Sequence, residues 1–153
     1  MTIEDDIAFL ERIPTFRPLG ASALRILAIG AENYRVDAGQ TLFTAGDAAD
    51  GAYIVQQGSF SLRSEPGGDN EIVAGPGTLM GESALLAETR RPATATARED
   101  SVVLRISRTM FLKMLDGYPD AAERLREVIA ARADQWEREI ENVRAALRTA
   151  KSK

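Results

Sequence analysis

The sequence contains no cysteine and no histidine. These absences exclude a disulfide framework, a metal site built on cysteine or histidine, and nucleophilic triads that rely on a histidine base. No acidic cluster has the spacing of an EF-hand calcium loop either. The sequence therefore predicts no metal site and no catalytic residues.

Long apolar runs and an excess of basic residues are also missing. No run approaches the roughly 18 apolar residues of a membrane span, and the acidic N-terminus lacks a signal-peptide core. We therefore expect a cytoplasmic protein without a membrane partner. The net charge of −4 argues against nucleic acid as the main partner. With 153 residues, 44% of them apolar, the chain is most simply one globular domain with a real core.

Hydrophobic periodicity predicts helices at both ends of the chain. The first two fit residues 3–12 and Ala21–Ile29, and a third fits Ser107–Leu115 with Ser107 as its N-cap. Gly117-Tyr-Pro119 then breaks the pattern, and a long helix without proline or glycine runs from 120 to about 150. Its apolar positions alternate at steps of four and three, which predicts a parallel homodimer through Ile129, Ala133, Trp136, Ile140, Val143 and Leu147.

Between these helices the period changes to two, which is typical of short half-buried strands. The predicted strands are Asn33–Val36, Thr41–Thr44, Ala52–Gln57, Ser59–Ser64, Asn70–Ala74, Thr94–Ala97 and Val102–Ile106. Glycine, aspartate and proline turn signals separate them. Short strands at this spacing predict a small antiparallel roll or sandwich, and the fold class is therefore α+β.

Residues 81–91 carry the strongest functional signal. Gly81 and Glu82 open a short helical stretch, and Arg91 follows ten residues after the glycine. A helix start presents free N–H groups to an anion, and an arginine offers a charged fork to phosphate oxygens. The glutamate can accept hydrogen bonds from sugar hydroxyls. The combination suits capture of one phosphate attached to one sugar.

This stretch resembles the phosphate-binding cassette of cyclic-nucleotide-binding domains, as in the catabolite activator, protein kinase A regulatory subunits and cyclic-nucleotide-gated channels. Their pattern is roughly F-G-E-x-A-L, a variable loop, then P-R-x-A-T. Here Met80-Gly-Glu-Ser-Ala-Leu85 precedes Arg90-Arg-Pro-Ala-Thr94. The segments 38–43 and 53–58 also look like the opening strands of that family's β-roll. The resemblance spans about residues 7–135.

The resemblance implies an eight-stranded, jelly-roll-like β-roll flanked by N-terminal helices and two C-terminal helices. Residues 1–118 would form the binding domain and residues 119–150 the long dimerisation helix. The implied function is a regulatory domain that binds cAMP, less readily cGMP, and signals through its last helix. A ligand-free dimerisation or scaffold module is the alternative. About thirty residues follow the Gly-Tyr-Pro break and read as one helix, so no DNA-binding element is predicted.

By resemblance, Glu82 would hold the ribose 2′-hydroxyl and Arg91 the cyclic phosphate. The backbone amides of Ser83, Ala84 and Leu85 would line the phosphate. The complete candidate site is Met80, Gly81, Glu82, Ser83, Ala84, Leu85, Arg91, Pro92 and Ala93. Pro92 departs from the family, which often has serine, threonine or alanine at this position. Proline offers neither a hydroxyl nor an N–H group to the ligand.

Each signal also has a plainer interpretation when it is taken alone. Glu82 could simply favour the helix start, and Arg90 or Arg91 could be a solvated surface charge. Thr94 and Thr96 could be ordinary strand residues, and Trp136 could face a dimer partner, cover the purine or pack in the core. An enzyme of cupin type is disfavoured because such rolls usually hold a metal through histidine. Residues 75–81 are no Walker loop, since no lysine follows the final glycine.

Overall fold

The computed structural model of the protein describes residues 2–64 and 70–128, together with Ala131 and Ala145. The helices of this part are α1 (Ile3–Glu11), α2 (Ala21–Gly30) and α3 (Arg108–Gly117), with 3-10 turns at Arg17–Leu19 and Glu82–Leu85. The strands are β1 (Glu32–Val36), β2 (Thr41–Phe43), β3 (Ala48–Ala49), β4 (Gly51–Gln57), β5 (Phe60–Arg63), β6 (Glu71–Ala74), β7 (Leu79–Met80), β8 (Thr89–Arg90), β9 (Thr94–Ala97) and β10 (Ser101–Ser107). Residues 119–128 are also helical.

The strands form an antiparallel roll, which confirms the predicted fold. One four-stranded sheet has the order β1-β10-β4-β7 and the other β2-β9-β5-β6. These two sheets account for the eight strands that the family resemblance implies. A two-stranded sheet, β3-β8, is added to them. The strands β3, β7 and β8 were not predicted, because two residues are too few to show an alternating pattern.

Local sequence signals explain where the helices begin. Thr2 and Asp5 form a reciprocal capping box at the start of α1. The Ser107 hydroxyl accepts a hydrogen bond from the Met110 N–H at 3.2 Å, which confirms the predicted N-cap of α3. Helix α2 ends at Gly30, one residue beyond the predicted range Ala21–Ile29.

Two hydrophobic cores lie on opposite faces of the sheet that contains β4. Ile54 and Ala52 pack with the helices in the first core, whereas Val55 packs inside the roll in the second. Since β4 is buried on both faces, its sequence reads as a nearly continuous apolar run rather than an alternation. The sheet thus connects the helices to the interior of the roll.

The helical residues 119–128 pack back onto the N-terminal helices. Ala121 and Leu125 belong to the helical core, and the Arg124 side chain donates hydrogen bonds to the carbonyl oxygens of Pro18 at 2.6 Å and Leu19 at 3.1 Å. The six predicted dimer-seam residues lie outside the described residues, and the seam stays a prediction: Ile129, Ala133, Trp136, Ile140, Val143 and Leu147.

Candidate functional site

The candidate site begins at a left-handed turn. Gly81 follows β7 with a φ of +85°, a conformation that favours glycine. Its carbonyl oxygen accepts the Ala84 N–H at 3.0 Å, so the predicted helical stretch is a single 3-10 turn. Ala84 and Leu85 are almost fully buried and fasten this turn to the helical core.

This turn changes what the backbone offers to a ligand. The family resemblance implied that the amides of Ser83, Ala84 and Leu85 would line a phosphate. The Ala84 N–H is instead committed to the Gly81 carbonyl. The exposed Ser83 N–H forms no hydrogen bond within the described part of the chain. A bound anion would therefore find a donor at Ser83, but none at Ala84 without opening the turn.

The backbone of Arg91 is fixed by a second turn. Its N–H donates to the Asp47 carbonyl at 2.8 Å, and its carbonyl accepts the Gly46 N–H at 2.8 Å. The Arg91 side chain enters the roll and is only 5% exposed. Its Cζ atom lies 4.5 Å from the centre of the Phe43 ring and 5.5 Å from that of Tyr53. The guanidinium is thus placed by strands far apart in the sequence.

The Arg91 guanidinium has an unused hydrogen-bond donor. Its Nη1 atom is buried and has no hydrogen-bond partner among the described residues. Within those residues the ion pairs are Arg63–Glu71 and Arg105–Asp50, and neither involves Arg91. A buried donor left without an acceptor costs about 1–3 kcal/mol, and more when it is charged. The arrangement suits a site that an anion would complete.

The unused donor faces the Gly81 turn. A Cβ atom placed on Gly81 would lie 2.3 Å from Arg91 Nη1, so only glycine leaves room for this approach. Burial lowers the pKa of Arg91 below its ordinary value, while the nearby Tyr53, Asp50 and Asp47 act in the opposite direction. An arginine so placed still carries its charge at neutral pH, because its ordinary pKa is very high.

Glu82 points toward the N-terminal helices rather than into an open cleft. Its Oε2 atom accepts a hydrogen bond from the Thr15 hydroxyl at 2.9 Å. Thr15 is 4% exposed and lies between α1 and the following 3-10 turn. A carboxylate can accept more than one hydrogen bond. Sequence reasoning did not identify Thr15, since nothing near it in the sequence marks it as a partner of Glu82.

The neighbours of Arg91 have structural roles. The exposed Arg90 donates from Nη1 to the Gly46 carbonyl at 2.9 Å. The Thr94 hydroxyl accepts the Ala45 N–H at 2.9 Å. Both contacts hold the turn that fixes the Arg91 backbone. Thr96 lies on the outer face of β9 with Thr94, because the alternate residues are buried inside the roll.

The remaining candidates surround the two turns. Met80 is 3% exposed and packs inside the roll, directly opposite Tyr53 in the strand register. Pro92 is exposed, and Ala93 is half-buried. A cavity of about 510 Å³ opens beside Tyr53 and is also lined by Tyr34 and Arg105. Arg91 does not line this cavity, and its side chain is only 5% exposed.

Arg108 is a second arginine that contacts this segment and that sequence reasoning missed. Its Nη1 atom donates to the carbonyl oxygens of Ala49 at 3.0 Å, Ala84 at 3.3 Å and Ala87 at 3.1 Å. Arg108 is the first residue of α3. One guanidinium therefore ties the candidate site to the first helix after the roll.

Two searches of the described residues gave negative results. No group of three or more acidic side chains is arranged to hold a metal ion in the part of the chain that the structure describes. Within the same residues, no helix has both the length and the apolar character needed to cross a membrane.

Comparison with known proteins places this fold in a family. The family model described as cyclic nucleotide-binding domain matches residues 34–118. A cyclic AMP receptor protein of Thermus thermophilus is 34% identical over 106 residues, which cover 67% of this chain and 49% of that protein. The chain thus spans about half the length of this relative. The match to the family model includes the segment 81–91.

Solved structures give the same result. A cyclic nucleotide-binding-like protein from Brucella abortus is 39% identical, with a TM-score of 0.66 over 73% of this chain and 98% of that one. The N-terminal domain of a transcriptional regulator from Streptomyces coelicolor is 30% identical, with a TM-score of 0.79 over 86% of this chain and 94% of that one. The chain belongs to the cyclic nucleotide-binding domain family.

Proposed function

We propose that this chain binds a cyclic mononucleotide, with cAMP preferred to cGMP, and that it acts as a regulatory domain without catalysis. The observation that carries the proposal is the buried Arg91 Nη1 atom beside the Gly81 turn, which has no acceptor among the described residues. A cyclic phosphate would supply that acceptor and neutralise the buried charge. The relative named as a cyclic AMP receptor protein supports cAMP as the ligand.

The other candidate residues complete the proposed site. The Ser83 N–H would donate to the phosphate, and the second lone pairs of the Glu82 carboxylate would accept the ribose 2′-hydroxyl. The Gly81 turn would be supported by three buried residues, Met80, Ala84 and Leu85. Pro92 offers no N–H group, so the phosphate loses one donor that many relatives have. That loss lowers affinity without removing the charge of Arg91.

The proposed signal passes from the 81–91 segment to the helices. The Glu82–Thr15 hydrogen bond connects the segment to the N-terminal helices, and Arg108 connects it to α3. Tyr118 lies between α3 and the helical residues 119–128, so a change at α3 would alter the approach of the last helix. A ligand shifts this equilibrium only if it binds the two arrangements unequally. The homodimer seam and the cytoplasmic location remain part of this proposal.

Titration with a fluorescent cAMP analogue, followed by competition with cAMP and cGMP, tests the proposal. Replacing Arg91 with alanine should weaken cAMP binding at least tenfold, because charge-assisted hydrogen bonds are worth about 1.5–3 kcal/mol each. Arg25→Ala is the matched control, since Arg25 is exposed on α2 and lies outside the segment 81–91. Equal affinities for the wild type and Arg91→Ala would refute the assignment.

One observation favours the alternative of a ligand-free scaffold module. Arg91 is covered by two aromatic rings, and Pro92 lacks the N–H group that a phosphate would meet. If no cyclic nucleotide binds at millimolar concentration while the chain dimerises, the scaffold function is the better description. Analytical ultracentrifugation beside the titration separates the two functions.

A further inference from the structure

An aromatic pair supports the Arg91 side chain from two different sheets. The rings of Phe43 on β2 and Tyr53 on β4 stack with their centres 5.9 Å apart and their planes 24° from parallel. The Arg91 Cζ atom lies within 6 Å of both ring centres, the range in which a cation is attracted to an aromatic face. Among the described residues these rings take the place that a carboxylate often holds beside a buried arginine.

An aromatic partner leaves the arginine able to bind an anion. A carboxylate would accept the N–H groups that a phosphate needs, and the two anions would compete for them. A ring attracts the charge through its π-face and accepts none of these strong hydrogen bonds. The buried and unpartnered Nη1 atom agrees with this arrangement. The charge is thus partly stabilised while its donors remain available.

The two aromatic residues also lie on strands that pair with the strands before and after the candidate site. Tyr53 is opposite Met80, the residue before the Gly81 turn, and Phe43 is opposite Ala95, four residues after Arg91. The pair therefore joins the strand that leads into the site to the strand that leaves it. A shift of either strand would move a ring relative to the guanidinium.

We propose that Phe43 and Tyr53 are positioning residues that hold the Arg91 guanidinium in its anion-binding orientation before the ligand arrives. The pair confers affinity through preorganisation, because less side-chain freedom is lost when the phosphate binds. This inference rests on the proposed function, and it predicts a specific coupling between positions 43 and 91.

A double-mutant cycle tests this coupling. Phe43→Leu keeps apolar volume but removes the π-face, and it should weaken cAMP binding about three- to thirtyfold, the range given by one cation–π contact. In the Arg91→Ala background the same change should have no further effect. Phe43→Tyr should restore the affinity, because it returns an aromatic ring. Equal losses in the two backgrounds, or no rescue by tyrosine, would overturn the inference.

A core control and a ligand-free readout complete the experiment. Phe60→Leu removes a fully buried ring from the same core, and its effect on affinity should be the same with or without Arg91. If the wild type binds no cAMP, the proposed function fails. Urea unfolding of the wild type, Phe43→Leu, Arg91→Ala and the double variant then tests the aromatic contact. Non-zero coupling in unfolding supports the contact of Phe43 with Arg91, and zero coupling rejects it.

Discussion

Two arginines, Arg91 at the end of the segment 81–91 and Arg108 on α3, differ in how far their hydrogen-bond donors are used. Toward α3, one nitrogen of Arg108 donates to three carbonyl oxygens, those of Ala49, Ala84 and Ala87. Toward the interior of the roll, Arg91 is 5% exposed and its Nη1 atom has no acceptor among the described residues. The Nη1 atom of Arg108 is therefore satisfied within the fold, whereas the Nη1 atom of Arg91 has no acceptor that the described chain supplies.

This contrast separates a structural arginine from a binding one by physical criteria. A guanidinium nitrogen that is shared by several carbonyl groups stabilises the fold, because those carbonyls would otherwise lose a hydrogen-bond donor. A buried guanidinium with an unused donor lowers the stability of the fold unless a ligand supplies the acceptor, as proposed for Arg91. Substitution of Arg91 should therefore mainly weaken cAMP binding, and substitution of Arg108 should mainly lower the free energy of unfolding.

The largest expected effect is at Arg91. Arg91→Met should weaken cAMP binding by about a hundredfold or more, since it removes the charge-assisted hydrogen bonds to the phosphate. The free energy of unfolding should stay the same or rise by up to about 1 kcal/mol, because an unpaired buried charge is replaced by an apolar chain. Calorimetric titration and urea denaturation give the two values. A marked loss of stability would contradict the contrast.

Arg108→Met should show the reverse result. Three carbonyl oxygens lose their shared donor, and we expect the free energy of unfolding to fall by about 2–3 kcal/mol. The affinity for cAMP should fall less than about tenfold. Arg105→Met is the control, because Arg105 pairs with the largely exposed Asp50 and should cost less than about 1 kcal/mol. Similar urea midpoints for the two variants would remove the structural role assigned to Arg108.

The Gly81 turn provides a narrower test. Gly81 and Gly39 share a φ of +85°, but a Cβ on Gly39 would meet no atom within 4 Å. Both alanine variants should lose about 1–2 kcal/mol of stability from the left-handed backbone alone. Only Gly81→Ala pushes against Arg91 Nη1, so only it should also weaken cAMP binding, by about tenfold. Equal affinities in the two variants would show that the Arg91 donor does not depend on this turn.

The smallest expected effect is at Thr15. Thr15→Val keeps the shape of the side chain and removes its hydrogen bond to Glu82, which should lower the free energy of unfolding by about 1 kcal/mol. The affinity for cAMP should change less than about threefold, because Thr15 does not touch the proposed phosphate position. Thr15→Ser should restore the stability. Thermal denaturation of the three proteins measures the difference, and an unaltered melting temperature in Thr15→Val would count against this contact.

Much of the fold could be predicted because its signals are local. The N-cap of Ser107, the alternation in β9 and β10, and the turn glycines each depend on a few neighbouring residues. The strands β3, β7 and β8 escaped prediction because two-residue strands are defined by their pairing partners rather than by their own pattern. A local sequence pattern can predict only those structural elements that contacts between nearby residues determine.

The site shows the same division. The spacing of Gly81 and Arg91 predicts a phosphate-binding segment, and this segment lies within the residues that the family model matches. The sequence did not show that the Ala84 amide would be used by the Gly81 carbonyl, or that Thr15 would hold Glu82. It also left the role of Arg90 open, and the structure gives that side chain to the Gly46 carbonyl. Each of these outcomes depends on which donors and acceptors the tertiary structure brings within hydrogen-bond distance.

The sequence alone determined α1, α2 and α3, most of the strands and the order of chemical groups from Gly81 to Arg91, because periodicity, turn chemistry and spacing lie within short stretches of chain. Only the tertiary structure decided which arginine keeps an unused donor. The rings of Phe43 and Tyr53 reach Arg91 from strands about 40–50 residues away. Hydrogen bonds and cation–π contacts depend on distances that only the closed roll defines.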